Sequence, residues 1–100
     1  MTGVVFDREL NGSKELALDA LFIEIGHVPL SELAKELGVA CDEKGEIKID
    51  RLSRTNLPGV YAAGDVADSA FKQAITGVAE GVNAAYSAYE YLSKNKEISC

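Results

Sequence analysis

Apolar residues recur at helical spacing along the last third of the chain. From about Gln73 to about Lys94 they follow at steps of three or four residues and form one stripe: Ile75, Val78, Val82, Ala85, Tyr89 and Leu92. The spacing predicts a long amphipathic helix. Gly77 and Gly81 each weaken it by about 1 kcal/mol relative to alanine. Small residues four apart therefore predict that another backbone approaches this helix closely.

Two turn signals predict two β-hairpins. In the first, over residues 3–19, Asn11 and Gly12 stand between apolar runs, and both residues tolerate the positive φ that a tight hairpin turn requires. In the second, over residues 39–50, a polar turn at 42–45 precedes alternating apolar and charged residues. We expect the acidic side chains of this second turn to be solvated; they are Asp42, Glu43 and Glu46.

The region between the hairpins predicts a strand and a short helix. Residues 20–25 are mostly apolar and end at a glycine, which is typical of a buried strand. Ser31 is a good N-cap for a helix over residues 32–37, and Gly38 is suited to end it in a left-handed conformation.

Residues 59–74 are the candidate ligand-binding segment. A short apolar strand, 60–63, leads into Gly64 and Asp65, and residues 72–74 open the long helix. Glycine lets a backbone approach a ligand closely because it has no Cβ. The aspartate can accept hydrogen bonds from a polyol hydroxyl, and the free N–H groups of a helix start can face a partly negative atom.

This segment resembles the second FAD-binding motif of the low-molecular-weight thioredoxin reductase family. The family pattern is roughly T-x-x-P-G-(V/I)-(F/Y)-A-A-G-D, a short loop, and (R/K)-Q-A. Here residues 55–65 read TNLPGVYAAGD and residues 72–74 read KQA. Residues 22–29, FIEIGHVP, resemble a further family segment. The resemblance covers nearly the whole chain, but only about the last third of a complete family member.

The resemblance implies a role for each residue of the motif. Asp65 would bind a ribityl hydroxyl of FAD, and the backbone N–H groups of Gln73 and Ala74 would meet the pyrimidine edge of the flavin. Gly64 would allow close approach, and Lys72 would lie near the site. The residues alone leave other interpretations open: a turn cap, an ordinary helix start, a bend and a solvated lysine. No catalytic residue and no metal site is predicted.

Two motifs of a complete disulfide reductase are absent from the sequence. No Gly-x-Gly-x-x-Gly is present, and the two cysteines, Cys41 and Cys100, are too far apart for a Cys-x-x-Cys pair. We expect Cys41 to be packed and Cys100 to be mobile. The chain is interpreted as a C-terminal fragment, with residues 1–26 as terminal strands of the NAD(P)-binding domain and 27–100 as the C-terminal half of the FAD-binding domain.

The expected fold class is mixed α/β. It is a partial FAD/NAD(P)-binding, Rossmann-like flavoprotein fold with two hairpins, short strands and a long C-terminal helix. By resemblance, the parent enzyme passes electrons from NADPH or NADH through FAD to a disulfide of a thioredoxin-like protein substrate. The fragment is expected to be inactive without its N-terminal half, and to form homo-oligomers through its unpartnered helix stripe and strand edges.

Composition argues against nucleic acid and membranes as partners, and two alternatives to the thioredoxin reductase interpretation stay open. The formal net charge of −6 and dispersed basic residues argue against nucleic acid, and no apolar run is long enough to cross a membrane. With two cysteines and no signal-peptide pattern, we expect a cytoplasmic protein. The parent could instead be a ferredoxin–NADP reductase-like or alkyl hydroperoxide reductase-like flavoprotein. The chain could also be a stand-alone binding or assembly module that reuses half a flavin fold.

Overall fold

The computed structural model describes residues 1–95, which form two strands and two helices. They are β1 (Gly3–Leu10), β2 (Ser13–Ala17), α1 (Glu32–Leu37) and α2 (Ala74–Lys94). The mixed α/β class agrees with the sequence expectation. The chain is elongated, with principal extents of 69 × 26 × 22 Å. Cys100 lies outside the described residues.

β1 and β2 form the first predicted hairpin. The strands are antiparallel, with Val4 opposite Leu16, and the register shifts between Val5 and Leu10. Asn11 and Gly12 form the turn with φ of 52° and 80°. Both turn residues are thus left-handed, which matches the twist of two-residue hairpin turns.

Residues 20–25 do not form the buried strand that their apolar run predicts. The segment has no strand assignment, and its side chains are exposed: Phe22 is 83% and Ile25 is 92% accessible. A buried strand needs neighbouring strands for its backbone groups and covering layers for its side chains. Residues 1–95 supply neither to this segment. The expectation of a buried strand is therefore wrong for this chain.

α1 begins and ends as predicted, but Ser31 does not cap it through its side chain. The Ser31 hydroxyl donates instead to the carbonyl oxygen of Gly45 at 2.6 Å, which joins the start of α1 to the second turn. At the other end Gly38 is left-handed with φ 94°, and its N–H donates to the Lys35 carbonyl at 3.0 Å.

The second predicted hairpin is short. Gly45 donates its N–H to the Asp42 carbonyl at 3.0 Å to close the turn, and Cys41 pairs with Ile47 in a single antiparallel bridge. Ile47 also pairs in parallel with Ala67. Val39, Ile47 and Ala67 are the buried apolar residues of the described chain, so its core is small. Cys41 is half-buried beside them.

The predicted motif strand, residues 60–63, is half-buried and forms one bridge, between Tyr61 and Arg54. The run after it brings the chain back to α2, whose small and polar side faces this part of the molecule. There Ser87 donates to the Leu52 carbonyl, and Ser53 donates to the Glu80 carbonyl, each at 2.8 Å. Within residues 1–95 neither helix is long and apolar enough to span a membrane.

Candidate functional site

Gly64 lies at the turn between the motif strand and its loop. Its φ is 87°, a left-handed conformation that is strained for residues with a side chain. A Cβ built on Gly64 would meet no atom within 4 Å, so the outer side of this residue is open. Its N–H donates to Oε2 of Glu80 at 2.7 Å.

Gly77 of α2 packs directly against Gly64. A Cβ built on Gly77 would lie 3.2 Å from the Gly64 Cα and 3.8 Å from its nitrogen. The predicted close approach of another backbone is confirmed here. It does not extend to Gly81, where a Cβ would meet nothing within 4 Å.

Asp65 follows Gly64 with an exposed side chain. Its carboxylate accepts no hydrogen bond from residues 1–95, in contrast to Asp42 and Asp50, which accept bonds from turn N–H groups. Asp65 is therefore not used as a turn cap in this structure. Its carboxylate is available to hydroxyl donors from outside the chain, and its role in binding a cofactor stays a prediction.

The start of α2 is uncapped. Gln73 occupies the N-cap position in an extended conformation, φ −135° and ψ 156°, with no side-chain cap hydrogen bond. Gln73 and Ala74 are exposed, and the first turn holds no acidic residue. A helix start carries N–H groups without intrahelical acceptors and roughly half a positive charge. This end of α2 is thus suited to a partly negative ligand atom.

Lys72 is held by protein groups. Its Nζ donates to the Ala67 carbonyl at 2.6 Å and to the Ser69 carbonyl at 3.3 Å, and it forms an ion pair with Oε2 of Glu46. The two side chains are only 17% and 6% exposed. The alternative of a solvated lysine is therefore wrong, and so is the expectation that Glu46 is solvated. The structure gives Lys72 a function in tying the loop to the second hairpin.

Sequence reasoning missed Glu80, which the structure places at the centre of the site. Its carboxylate accepts the N–H of Gly64 and the hydroxyl of Ser69, and so joins the two ends of the loop between them. One signal was present in the sequence. Glu80 is three residues after Gly77, so the two lie on the same side of the helix. That side is predicted to pack against another backbone, and a charged residue there indicates a hydrogen-bond partner within the protein.

A separate cavity of about 450 Å³ lies between residues 50–61 and the C-terminal half of α2.

Two titratable side chains at this cavity or beside it have shifted pKa values. At its edge, desolvation alone would raise the pKa of Asp50. Hydrogen bonds from the backbone and guanidinium of Arg54 and from the Leu52 N–H outweigh this and lower the pKa. On α2 the hydrogen bond to Glu90 raises the pKa of Tyr86. None of the predicted site residues lines this cavity.

The chain matches a known family over most of its length. Residues 2–81 match the family described as pyridine nucleotide-disulphide oxidoreductase. Among curated proteins, the F subunit of the alkyl hydroperoxide reductase of Staphylococcus aureus (strain Mu50 / ATCC 700699) is 41% identical over 96 residues. That match covers 95% of this chain and 19% of the relative, so the chain spans about a fifth of the curated relatives it matches.

Solved structures of thioredoxin reductases have a similar fold. The enzyme from T. acidophilum superposes with a TM-score of 0.75 and 40% identity, covering 98% of this chain and 31% of the enzyme. The Lactococcus lactis enzyme (FR conformation) gives 0.70 and 40%, covering 80% of this chain and 26% of that protein. The observed arrangement of elements is therefore that of part of a thioredoxin reductase-like flavoprotein.

Proposed function

The chain belongs to the pyridine nucleotide-disulphide oxidoreductase family, and from this premise we propose that it is the FAD-contacting C-terminal part of a thioredoxin reductase-like flavoprotein. The whole protein would pass electrons from NADPH or NADH through FAD to a disulfide of a thioredoxin-like protein. The observation that carries the proposal is the open peptide at Gly64 and Asp65 beside the uncapped start of α2.

The donor and acceptor groups at this site fit FAD. The exposed Asp65 carboxylate is an acceptor for a ribityl hydroxyl, and the N–H groups at Gln73 and Ala74 are donors for the electron-rich pyrimidine edge. The open side of Gly64 leaves room for close approach. Lys72 belongs to the same proposed site, but its ammonium is already paired with Glu46, so we assign it to loop positioning.

The residues of this site would bind or orient the cofactor, and none would be catalytic. A bound FAD supplies two-electron transfer between a nicotinamide and a disulfide. The positive end of α2 favours negative charge on the pyrimidine side of the ring, and so would raise its reduction potential. Asp65 would fix the ribityl chain and thereby the ring's position against the helix.

Other parts of the reaction would come from protein outside these 100 residues. The sequence holds neither a Gly-x-Gly-x-x-Gly loop nor a Cys-x-x-Cys pair, and we propose that an N-terminal half of the flavoprotein supplies both. Residues 1–26 would then close the NAD(P)-binding domain and residues 27–100 the FAD-binding domain. On this proposal the chain alone is inactive and forms homo-oligomers, and the whole protein works in the cytoplasm.

A second candidate is the flavoprotein component of an alkyl hydroperoxide reductase, favoured by the 41% identity to a subunit of such an enzyme. The chain covers 19% of that relative but 31% of the T. acidophilum thioredoxin reductase, so the hydroperoxide reductase component is the longer protein. The length of the complete flavoprotein therefore separates the two candidates. We propose the same role for Asp65 and the helix start in both.

Removal of the Asp65 carboxylate tests the proposed site. In the complete flavoprotein, Asp65→Ala should weaken FAD binding about ten- to a hundredfold, because hydrogen bonds to a charged group contribute roughly 1.5–3 kcal/mol. Flavin fluorescence during FAD titration gives the affinity. Asp68→Ala is the matched control, because Asp68 lies in the same loop but its carboxylate accepts the Ile49 N–H.

The control decides between a specific contact and a general loss of charge. We expect Asp68→Ala to lower stability while FAD affinity changes less than about threefold, because its hydrogen bond lies within the protein. An Asp65→Ala protein that binds FAD within about twofold of the unmodified protein contradicts the assigned role. So does equal weakening by both substitutions.

A further inference from the structure

The peptide that carries Asp65 is supported from behind by α2. Gly77 leaves space for the Gly64 Cα, and Glu80, three residues later on the same side of the helix, accepts the Gly64 N–H at 2.7 Å. Gly77 and Glu80, which lie one turn apart on the same face of α2, thus both contact Gly64. A substituent at Gly77 would push Gly64 away from the Glu80 carboxylate.

The second oxygen of Glu80 accepts the hydroxyl of Ser69. A carboxylate accepts from two donors at once, so one side chain closes the loop from Gly64 to Ser69. Glu80 is only partly exposed, and hydrogen bonds to a charged acceptor are stronger where water is partly excluded. The loop is also anchored further along, where Lys72 pairs with buried Glu46.

From this geometry we infer that Glu80 is a positioning residue for FAD, acting through the Gly64 peptide on the Asp65 carboxylate. Glycine is the most flexible residue, and the Gly64 N–H bond to Glu80 holds the peptide before it. The Ala67 N–H donates to the Gly64 carbonyl at 3.0 Å and holds the peptide after it, so the two bonds together limit the rotations that would otherwise move Asp65. Because Glu80 belongs to α2, its bond to Gly64 fixes Asp65 relative to the start of that helix. The inference rests on the proposed function, since it needs Asp65 to bind the cofactor.

The test is a double-mutant cycle between Glu80 and Asp65 in the complete flavoprotein, with FAD affinity and thermal midpoint measured for each variant. Glu80→Ala should weaken FAD binding about tenfold or more. In the Asp65→Ala background the same substitution should weaken it less than about twofold, because the group it positions is gone. The fall in thermal midpoint should be similar in both backgrounds.

A conservative variant separates positioning from loss of folding. In Glu80→Gln the amide oxygen still accepts the Gly64 N–H, and the amide nitrogen donates to the Ser69 oxygen. We therefore expect FAD affinity within about fivefold of the unmodified protein. Glu90→Ala is the matched control on the same helix; Glu90 accepts a hydrogen bond from Tyr86, and its loss should leave FAD affinity unchanged.

The outcomes distinguish the inference from the proposed function. If Asp65→Ala weakens FAD binding but Glu80→Ala does not, the positioning role is wrong and the proposed function stands. If the two losses multiply in the double variant, Glu80 acts independently of Asp65 and the inference fails. If Asp65→Ala has no effect, both fail together.

Discussion

α2 has two sides that differ in composition and in exposure. One side carries Gly77, Glu80 and Ser87, which contact the rest of the chain through backbone approach and hydrogen bonds. The other carries the apolar stripe, in which Val82 is 64% and Tyr89 is 71% exposed. The side chains with the greatest hydrophobic gain from burial are therefore those that remain in water.

The two sides of α2 differ in whether the described residues supply their contacts. Hydrogen bonds and small-residue contacts are satisfied within residues 1–95, whereas the apolar stripe has no partner there. Exposed apolar patches of this kind mark interaction surfaces. We propose that the sheet of the remaining flavoprotein covers the stripe, and that copies of the chain cover it for one another when the chain is alone.

The largest expected effect comes from placing charges in the exposed apolar stripe of α2. At tens of micromolar the chain alone should self-associate, and Val78→Glu combined with Val82→Glu should weaken association about a hundredfold, because a buried unpaired carboxylate costs several kcal/mol. Sedimentation equilibrium measures it. Ala79→Glu adds one such charge on the exposed flank of the stripe and should have a smaller effect than either valine substitution alone. A monomeric unmodified chain with cooperative unfolding would instead favour a stand-alone module.

A smaller effect is expected on stability, where alanine substitutions at Gly77 and Gly81 of α2 should differ. Gly81→Ala should stabilise the chain by about 1 kcal/mol, because alanine is the better helix former and its Cβ meets nothing within 4 Å. Gly77→Ala has the same helical gain, but its Cβ would lie 3.2 Å from the Gly64 Cα. We expect its net effect to be zero or destabilising in urea unfolding followed by circular dichroism. Equal stabilisation by both would contradict the close contact at Gly77.

The smallest effect concerns the turn that brings Leu52 and Ser53 to α2. Asp50 accepts hydrogen bonds from Leu52 and Arg54, and these lower its pKa from 3.8. The ionised carboxylate therefore stabilises the fold above pH 3.8, and this contribution is lost as the pH falls through the lowered pKa. Because Asp50 is 42% exposed, Asp50→Asn should cost only about 0.5 kcal/mol at pH 7.

The pH dependence of that small difference is the check. Unfolding free energies of the unmodified and Asp50→Asn chains should converge as the pH falls from 3.8 through the lowered pKa of Asp50, because the folded-state carboxylate becomes protonated there. A difference that grows toward low pH would mean that the hydrogen bonds do not favour the ionised form.

Local signals predicted those parts of the fold that depend on neighbours in sequence. Asn11 and Gly12 form the expected turn, Gly38 ends α1, and α2 begins and ends close to the predicted residues. These features follow from φ preferences and periodicity, which need no distant partner. The run at 20–25 was mispredicted because burial of a strand depends on residues far away in the chain.

The arrangement of residues at the candidate site depends on distant partners in the same way. The motif identified Gly64, Asp65 and the helix start, and the structure brings these into one neighbourhood through the contact of Gly77 with Gly64. It did not identify Glu80, which is 16 residues from Gly64, or Glu46, which pairs with Lys72 across the loop. Such partners are fixed by tertiary packing, and a single sequence carries little record of them.

The proposal that this chain is only part of an FAD site is tested by FAD titration of the chain alone and of the complete flavoprotein, followed by flavin fluorescence and absorbance. We predict stoichiometric binding by the complete protein and weak or no binding by the chain alone, because the proposed site would provide ribityl and ring contacts and the sequence has no dinucleotide-phosphate loop. Stoichiometric, submicromolar binding by the chain alone, or failure of the complete protein to bind FAD, would contradict this proposal.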